Sequence, residues 1–169
     1  MLADSNARYR FDVGGAAFLE PVVRAYDLLS GEVVREQGVG AVVLEPGERQ
    51  QVGVFDVSGL PTPQTAIAFE EEGMDPAWRL LNEPKNTRLA LAPTITVSTA
   101  EPGSLVIDIP APVVDLMLTE EGSPAPFTEN FITMLSRGQI RIATTRRPAS
   151  ITARSLAGYH KVVVTRSPF

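Results

Sequence analysis

The sequence predicts an all-β protein of β-sandwich architecture with very little helix, and three observations carry that prediction. Short runs of β-branched and aliphatic residues recur along the chain and alternate with polar residues at period two. The 13 glycines and 14 prolines punctuate those runs and form no tract, which suits many short strands better than long helices. The spacing between turn signals is that of a sandwich meander.

Residues 7–13 open the series, with Tyr9, Phe11 and Val13 alternating with Arg8, Arg10 and Asp12 before a turn at Gly14-Gly15. Residues 21–29 form the next strand and end at Ser30-Gly31-Glu32, so that 26–34 reads as a hairpin with a solvated tip. The run 33–44 is interrupted at Gly38-Val39-Gly40, where a bulge or strand break is expected. Glu45-Pro46-Gly47-Glu48 has the proline and glycine places of a type II turn. Residues 50–57 and 65–70 follow as strands, and Glu70-Glu71-Glu72-Gly73 breaks the pattern. Residues 75–81 admit a short helix, with Asp75 as N-cap and Pro76 at N1, or an irregular strand; little helix is expected. After a proline-bounded connector at 84–93, strands are expected at 94–99, 105–109, 113–118, 140–144, 150–154 and 161–165. The total is roughly ten to twelve strands.

A chain of 169 residues admits one large domain or two small sandwiches. The expected division is 1–63, a short sandwich unit, and 64–169, a fuller C-terminal sandwich, with the connector at 84–93 as the other candidate boundary. The net charge of −5 argues against a nucleic-acid partner, which needs a basic face to replace counterions. With no cysteine, disulfides, thiolate metal sites and a cysteine nucleophile are excluded. No run approaches the ~18 consecutive apolar residues of a membrane helix, and the first eight residues lack an export-signal pattern. A soluble chain with no membrane partner is expected; the compartment, cytoplasmic or exported, is left open.

Candidate chemistry is sparse. His160 is the single histidine, too few for a zinc site, and is expected as an exposed strand-edge residue and not as a triad base. Glu70, Glu71 and Glu72 read as a solvated charge run, and no spacing nominates a facing carboxylate pair of the glycosidase kind. Trp78 is the candidate sugar contact, a ring able to stack on a pyranose, weighed against a packing role. Arg137, Arg141, Arg146 and Arg147 make a basic edge that discourages strand-to-strand association. Gly14-Gly15 and Gly38-Val39-Gly40 lack the strand–loop–helix setting of a phosphate loop.

The most specific stretch is residues 127–138, in which Phe127, Asn130, Phe131, Leu135 and Gly138 are spaced as aromatic-x-acid-Asn-aromatic-aliphatic, closing on Leu and Gly. It resembles the signature of the C-terminal immunoglobulin-like domain of family 2 glycoside hydrolases of the β-mannosidase type. Glu129 stands where that family commonly has Asp, Ile132 where it has Phe, and Arg137 where it has Pro. Pro84-Lys85 with Leu89, Pro93 and Ile95 is similar to the family's linker and first strand. Val113 to Leu118 is similar to the strand that leads into the motif, and Ser155-Leu156 with Tyr159 to the closing strand. Asp27, Gly31, Glu32 and Val33 resemble a hairpin of the preceding sandwich domain.

The resemblance implies a non-catalytic, immunoglobulin-like accessory region with no cofactor and no metal, whose partner is a catalytic (β/α)₈ barrel and, on a second reading, a glycan. The family's catalytic acids lie in that barrel, which this chain is too short to contain, so no catalytic residue is carried over. On physical grounds alone, Asn130 is a candidate buried amide that bonds backbone at a strand crossover, with Phe127 and Phe131 filling the core on either side.

Overall fold

The computed structural model describes residues 11–12, 17–44, 49–50, 54–72, 75–101, 103–120, 127, 130–144, 148 and 150–166. Those residues are nearly all β: sixteen short strands and two single 3₁₀ turns, Thr62–Gln64 and Pro84–Asn86. The all-β sandwich expectation holds. Two compact units are present, Met1–Tyr26 with Val33–Thr87, and Asp27–Glu32 with Arg88–Phe169.

The first unit contains β1 (Phe11–Asp12), β2 (Ala17–Leu19), β3 (Val22–Asp27), β4 (Val33–Gly38), β5 (Val42–Leu44), β6 (Arg49–Gln50), β7 (Thr65–Glu70) and β8 (Ala77–Leu80). Its main sheet runs β4-β3-β7-β8, beside the two-stranded pairs β2-β5 and β1-β6. The expected break at Gly38-Val39-Gly40 separates β4 from β5, with Gly40 at φ +83°. The ambiguous segment 75–81 is strand, because Trp78 and Leu80 face one side at period two and β7 supplies a ladder, pairing Ala68 with Trp78. Since β7 is hydrogen-bonded to β3 in one sheet, residues 65–87 stay with the first unit. The compact units part at Thr87 and Arg88, inside the 84–93 connector.

Residues 54–57 depart from the strand expected over 50–57; residues 51–53 lie outside the described residues. The segment keeps the period-two pattern, with Phe55 buried between exposed Val54 and Asp56. Its carbonyls are taken by side chains of β4. Arg35 donates to Asp56 O at 2.5 Å and to Ser58 O at 3.1 Å, and Gln37 donates to Val54 O at 3.2 Å. These carbonyls are satisfied without a ladder. Phe55 joins Val23, Ala25, Ile67 and Phe69 in this unit's core.

The second unit contains β9 (Ile95–Glu101), β10 (Ser104–Ile109), β11 (Val113–Thr119), β12 (Ile132–Met134), β13 (Gly138–Ala143), β14 (Thr152–Ser155), β15 (Gly158–His160) and β16 (Val162–Arg166). Two four-stranded sheets, β13-β10-β9-β16 and β12-β11-β14-β15, enclose one core. Alternation builds it: Leu105, Ile107 and Ile109 of β10 point inward while Asp108 is exposed, and Leu116 and Leu118 of β11 answer from the other sheet. All described pairings are antiparallel except β16 with β9, which is parallel.

The turn 27–32 groups with this unit, and its tip is not wholly solvated. Leu28 is fully buried and its carbonyl accepts from Ala90 N at 3.3 Å. Asp27 Oδ1 accepts from Leu29 N at 2.7 Å and Ser30 N at 3.1 Å, which fixes the turn. Gly31 is at φ +77°, and a Cβ there would lie 3.1 Å from Pro112 and 3.2 Å from the Ser136 backbone. Both the backbone angle and the close approach demand glycine. Glu45 to Glu48, Glu129, Arg146 and Arg147 lie outside the described residues.

Candidate functional site

Alternation on β3 places Val23 and Ala25 in the core of the first unit and Arg24 and Tyr26 on the opposite face. Arg24 stands directly across from Glu36 of β4, and its Nε donates to Glu36 Oε2 at 2.7 Å. Its Nη1 donates to Glu70 Oε2 at the end of β7, while Glu70 Oε1 accepts the Tyr26 hydroxyl at 2.5 Å. One guanidinium thus holds two carboxylates, and one carboxylate is shared with a phenol. Glu36 and Glu70 hold the Arg24 guanidinium above its already high value, so it stays charged. Burial first, and the hydrogen bond to Glu70 second, push the Tyr26 phenol up to about 12. The glutamate run is therefore only partly the solvated loop expected. Glu70 is engaged in this network, Glu72 is exposed, and Glu71 Oε2 is shut from solvent with no partner among the described residues.

Trp78 is half-buried on β8, beside Ala68.

In the second unit, Asn130 is tied twice to backbone. Its Oδ1 accepts from Leu118 N at 2.8 Å and its Nδ2 donates to Phe127 O at 3.2 Å. The amide takes the place of a ladder partner where β11 runs past the end of β12. Phe127 packs against the core, but Phe131 does not: it is 68% exposed, with φ +58°. Ile132 and Met134 take the core side of β12, so the neighbouring position 131 falls on the solvent side, and its left-handed backbone lies just before the strand begins. Gly138 opens β13 opposite Ile109, where a Cβ would lie 2.8 Å from Met134 Cε.

His160 is buried and is not the exposed strand-edge residue expected. Its Nδ1 lies 3.0 Å from Pro93 O and its Nε2 2.7 Å from Ser155 Oγ, which also accepts from Ala157 N at 3.1 Å. A carbonyl can only accept, so Nδ1 carries the proton and Nε2 accepts from the serine in the neutral imidazole. The pair has a Ser–His distance but an enclosed serine and a backbone carbonyl at the third place. Its geometry suits joining β14 to β15, not nucleophilic attack. Arg137 and Arg141 are exposed, as a basic edge requires. Among the described residues, no three metal-ligating side chains converge, and no helix is long and apolar enough to cross a membrane.

No protein-family model matches the sequence, and no curated protein matches it. The solved structures that match in fold include β-D-mannosidase from Dictyoglomus thermophilum, with a TM-score of 0.57 and 12% identity. The likeness covers 91% of this chain and 20% of that one. At such identity it is a likeness of fold. The chain spans a fifth of the length of the structure it resembles.

The sequence reading missed the Arg24–Glu36–Glu70–Tyr26 network. The signal was present in the alternation of Val23 and Ala25 with Arg24 and Tyr26, and only the pairing of distant strands was needed to complete it.

Proposed function

We propose that this chain is a non-catalytic accessory region of a family 2 glycoside hydrolase of the β-mannosidase type, made to pack against and support a catalytic barrel. One observation carries the reading: nearly the whole chain, both units included, follows the fold of a fifth of a much larger β-mannosidase. The motif of Phe127, Asn130 and Gly138 supports it from the sequence side. The chain brings side-chain networks that fix strands, such as Asn130 on Leu118 and Arg24 on Glu36 and Glu70, and these are what a support requires.

The test is activity and context together. The purified chain is assayed on nitrophenyl β-mannoside, and the reading frame around its gene is read for a (β/α)₈ barrel. The expected result is no hydrolysis by the chain and a barrel encoded with it. Hydrolysis by this polypeptide alone would overturn the proposal.

A further inference from the structure

Among the described residues, the two sheets of the second unit end in the edge strands β12, β13, β15 and β16. The first three are blunted against pairing. β12 and β15 are three residues long, and β13 carries the exposed Arg141 with exposed Arg137 just before it. β16 has no such device. It runs Val162, Val163, Val164, Thr165, with Val163 at 38% exposure and Val164 at 51%. Among the described residues it pairs with β9 alone, so its other side carries no ladder.

Register fixes which peptide groups of β16 are open. Ile95 N donates to Lys161 O at 2.8 Å, and Ile95 stands level with Val162. In a parallel ladder alternate residues serve the neighbouring strand. The groups of Lys161, Val163 and Thr165 therefore turn to β9, and those of Val162, Val164 and Arg166 turn away from it. Side chains follow the same alternation. Val162 and Val164 lie level with the buried Ile95 and Val97, and Val162 packs on that core. Val164 thus points to the core side of its sheet and is still half exposed, at a margin where that side runs out of cover.

We infer that β16 is the contact edge for a second copy of this chain, paired antiparallel about a two-fold axis at Val164. Open N–H and C=O groups at strand spacing select another extended backbone. Register then selects the copy. Val164 is the middle residue of β16, so an axis there engages the whole strand: Val164 faces its own counterpart, Val162 faces Arg166 and Val163 faces Thr165. Every outward-turned residue meets another outward-turned residue in a hydrogen-bonded rung. Across the central rung the two Val164 Cα atoms lie about 5.5 Å apart, and each valine covers the exposed half of the other. No two charged residues stand opposite one another along the joint. The blunted edges of the unit cannot answer β16, which leaves it as its own complement. The inference stands on this strand and does not rest on the support role.

The test is sedimentation velocity of the full chain from about 10 µM to about 1 mM, with amide exchange followed residue by residue at both ends of that range. A joint of this size is expected to give a weak dimer. As it forms, the Val162 and Val164 amides should slow, while those of Val163 and Thr165, already held by β9, stay as they were. Val164→Pro removes an outward N–H and none of the β9 ladder, so it should keep the fold by circular dichroism and weaken dimerisation about tenfold or more. Val164→Lys leaves the backbone untouched and sets two ammonium groups against each other at the axis, with a similar loss expected. A chain that stays monomeric across the range overturns the inference, whatever other strand β16 accepts. So does a dimer that either Val164 variant retains at full strength, or one whose slowed amides lie on another edge.

Discussion

The second unit seals its core with aliphatic side chains from two facing sheets, and Ile95, Val97, Leu105, Ile107, Ile109, Leu116 and Leu118 are all essentially removed from solvent. The first unit gathers Val23, Ala25, Phe55, Ile67 and Phe69 against one four-stranded sheet. It leans on side chains for work that ladders do in the other unit. Arg35 and Gln37 hold the carbonyls of residues 54–58, and Arg24 ties Glu36 to Glu70. The difference teaches where each unit is vulnerable. One should fail by cavity formation, the other by loss of directed polar contacts.

The largest effect expected is therefore Leu116→Ala. This side chain is fully buried between the sheets, and removing it leaves a void that backbone ladders on both sides keep from collapsing. A loss of about 2–5 kcal/mol is expected, read as a lower urea midpoint and faster amide exchange in β10 and β11. A midpoint shift of only a few tenths of a molar would show that this core is softer than its burial implies.

Asn130→Ala should rank second, at about 1–3 kcal/mol, because it strands the Leu118 amide and the Phe127 carbonyl together. Here the second unit uses the first unit's device, a side chain standing in for a strand. Asn130→Asp separates the two bonds, since a carboxylate still accepts from Leu118 N but cannot donate to Phe127 O. An Asp variant as stable as the parent would locate the whole effect in the Leu118 bond. An Ala variant with an unchanged urea midpoint would remove Asn130 from the account.

Strand positions were legible because period two is local: 113–118 was expected where Val113–Thr119 is found, and 94–99 where Ile95–Glu101 is found. What was not legible depends on partners far along the chain. Residues 54–57 alternate like a strand, yet their partners are side chains from β4, which no window around them contains. His160 looks like an edge residue until β14 and β15 bring Ser155 to one nitrogen and the connector brings Pro93 to the other. Leu28 sits in a polar turn and is buried only because the turn groups with a unit that begins again at Arg88. Phe131 was misplaced because Ile132 and Met134, opposite Leu116 and Val113, take the core side of β12 and leave position 131 to solvent, a face set by cross-strand pairing. The candidate site residues were thus found by type, and their roles were decided by register.

The smallest effect near neutral pH, and the sharpest probe of the first unit, concerns Tyr26. Its phenol is pushed up to about 12, by burial first and by the Glu70 bond second. The unfolded chain would release that proton near ~10. A proton held more tightly by the folded state favours folding fully below pH ~10, and the advantage disappears as pH climbs from there through about 12. The first unit should then lose stability in that alkaline window, where the phenolate would face the Glu70 carboxylate. Phenolate absorbance during an alkaline titration should show a late component from Tyr26, and Tyr26→Phe should remove it. Glu70→Gln should bring the late midpoint down only part of the way, since burial, the larger cause, stays in place. A midpoint that falls all the way to that of a free tyrosine in Glu70→Gln would mean that the network, and not enclosure by the sheet, holds the proton. The first unit would then depend on polar contacts even more heavily than its small core suggests.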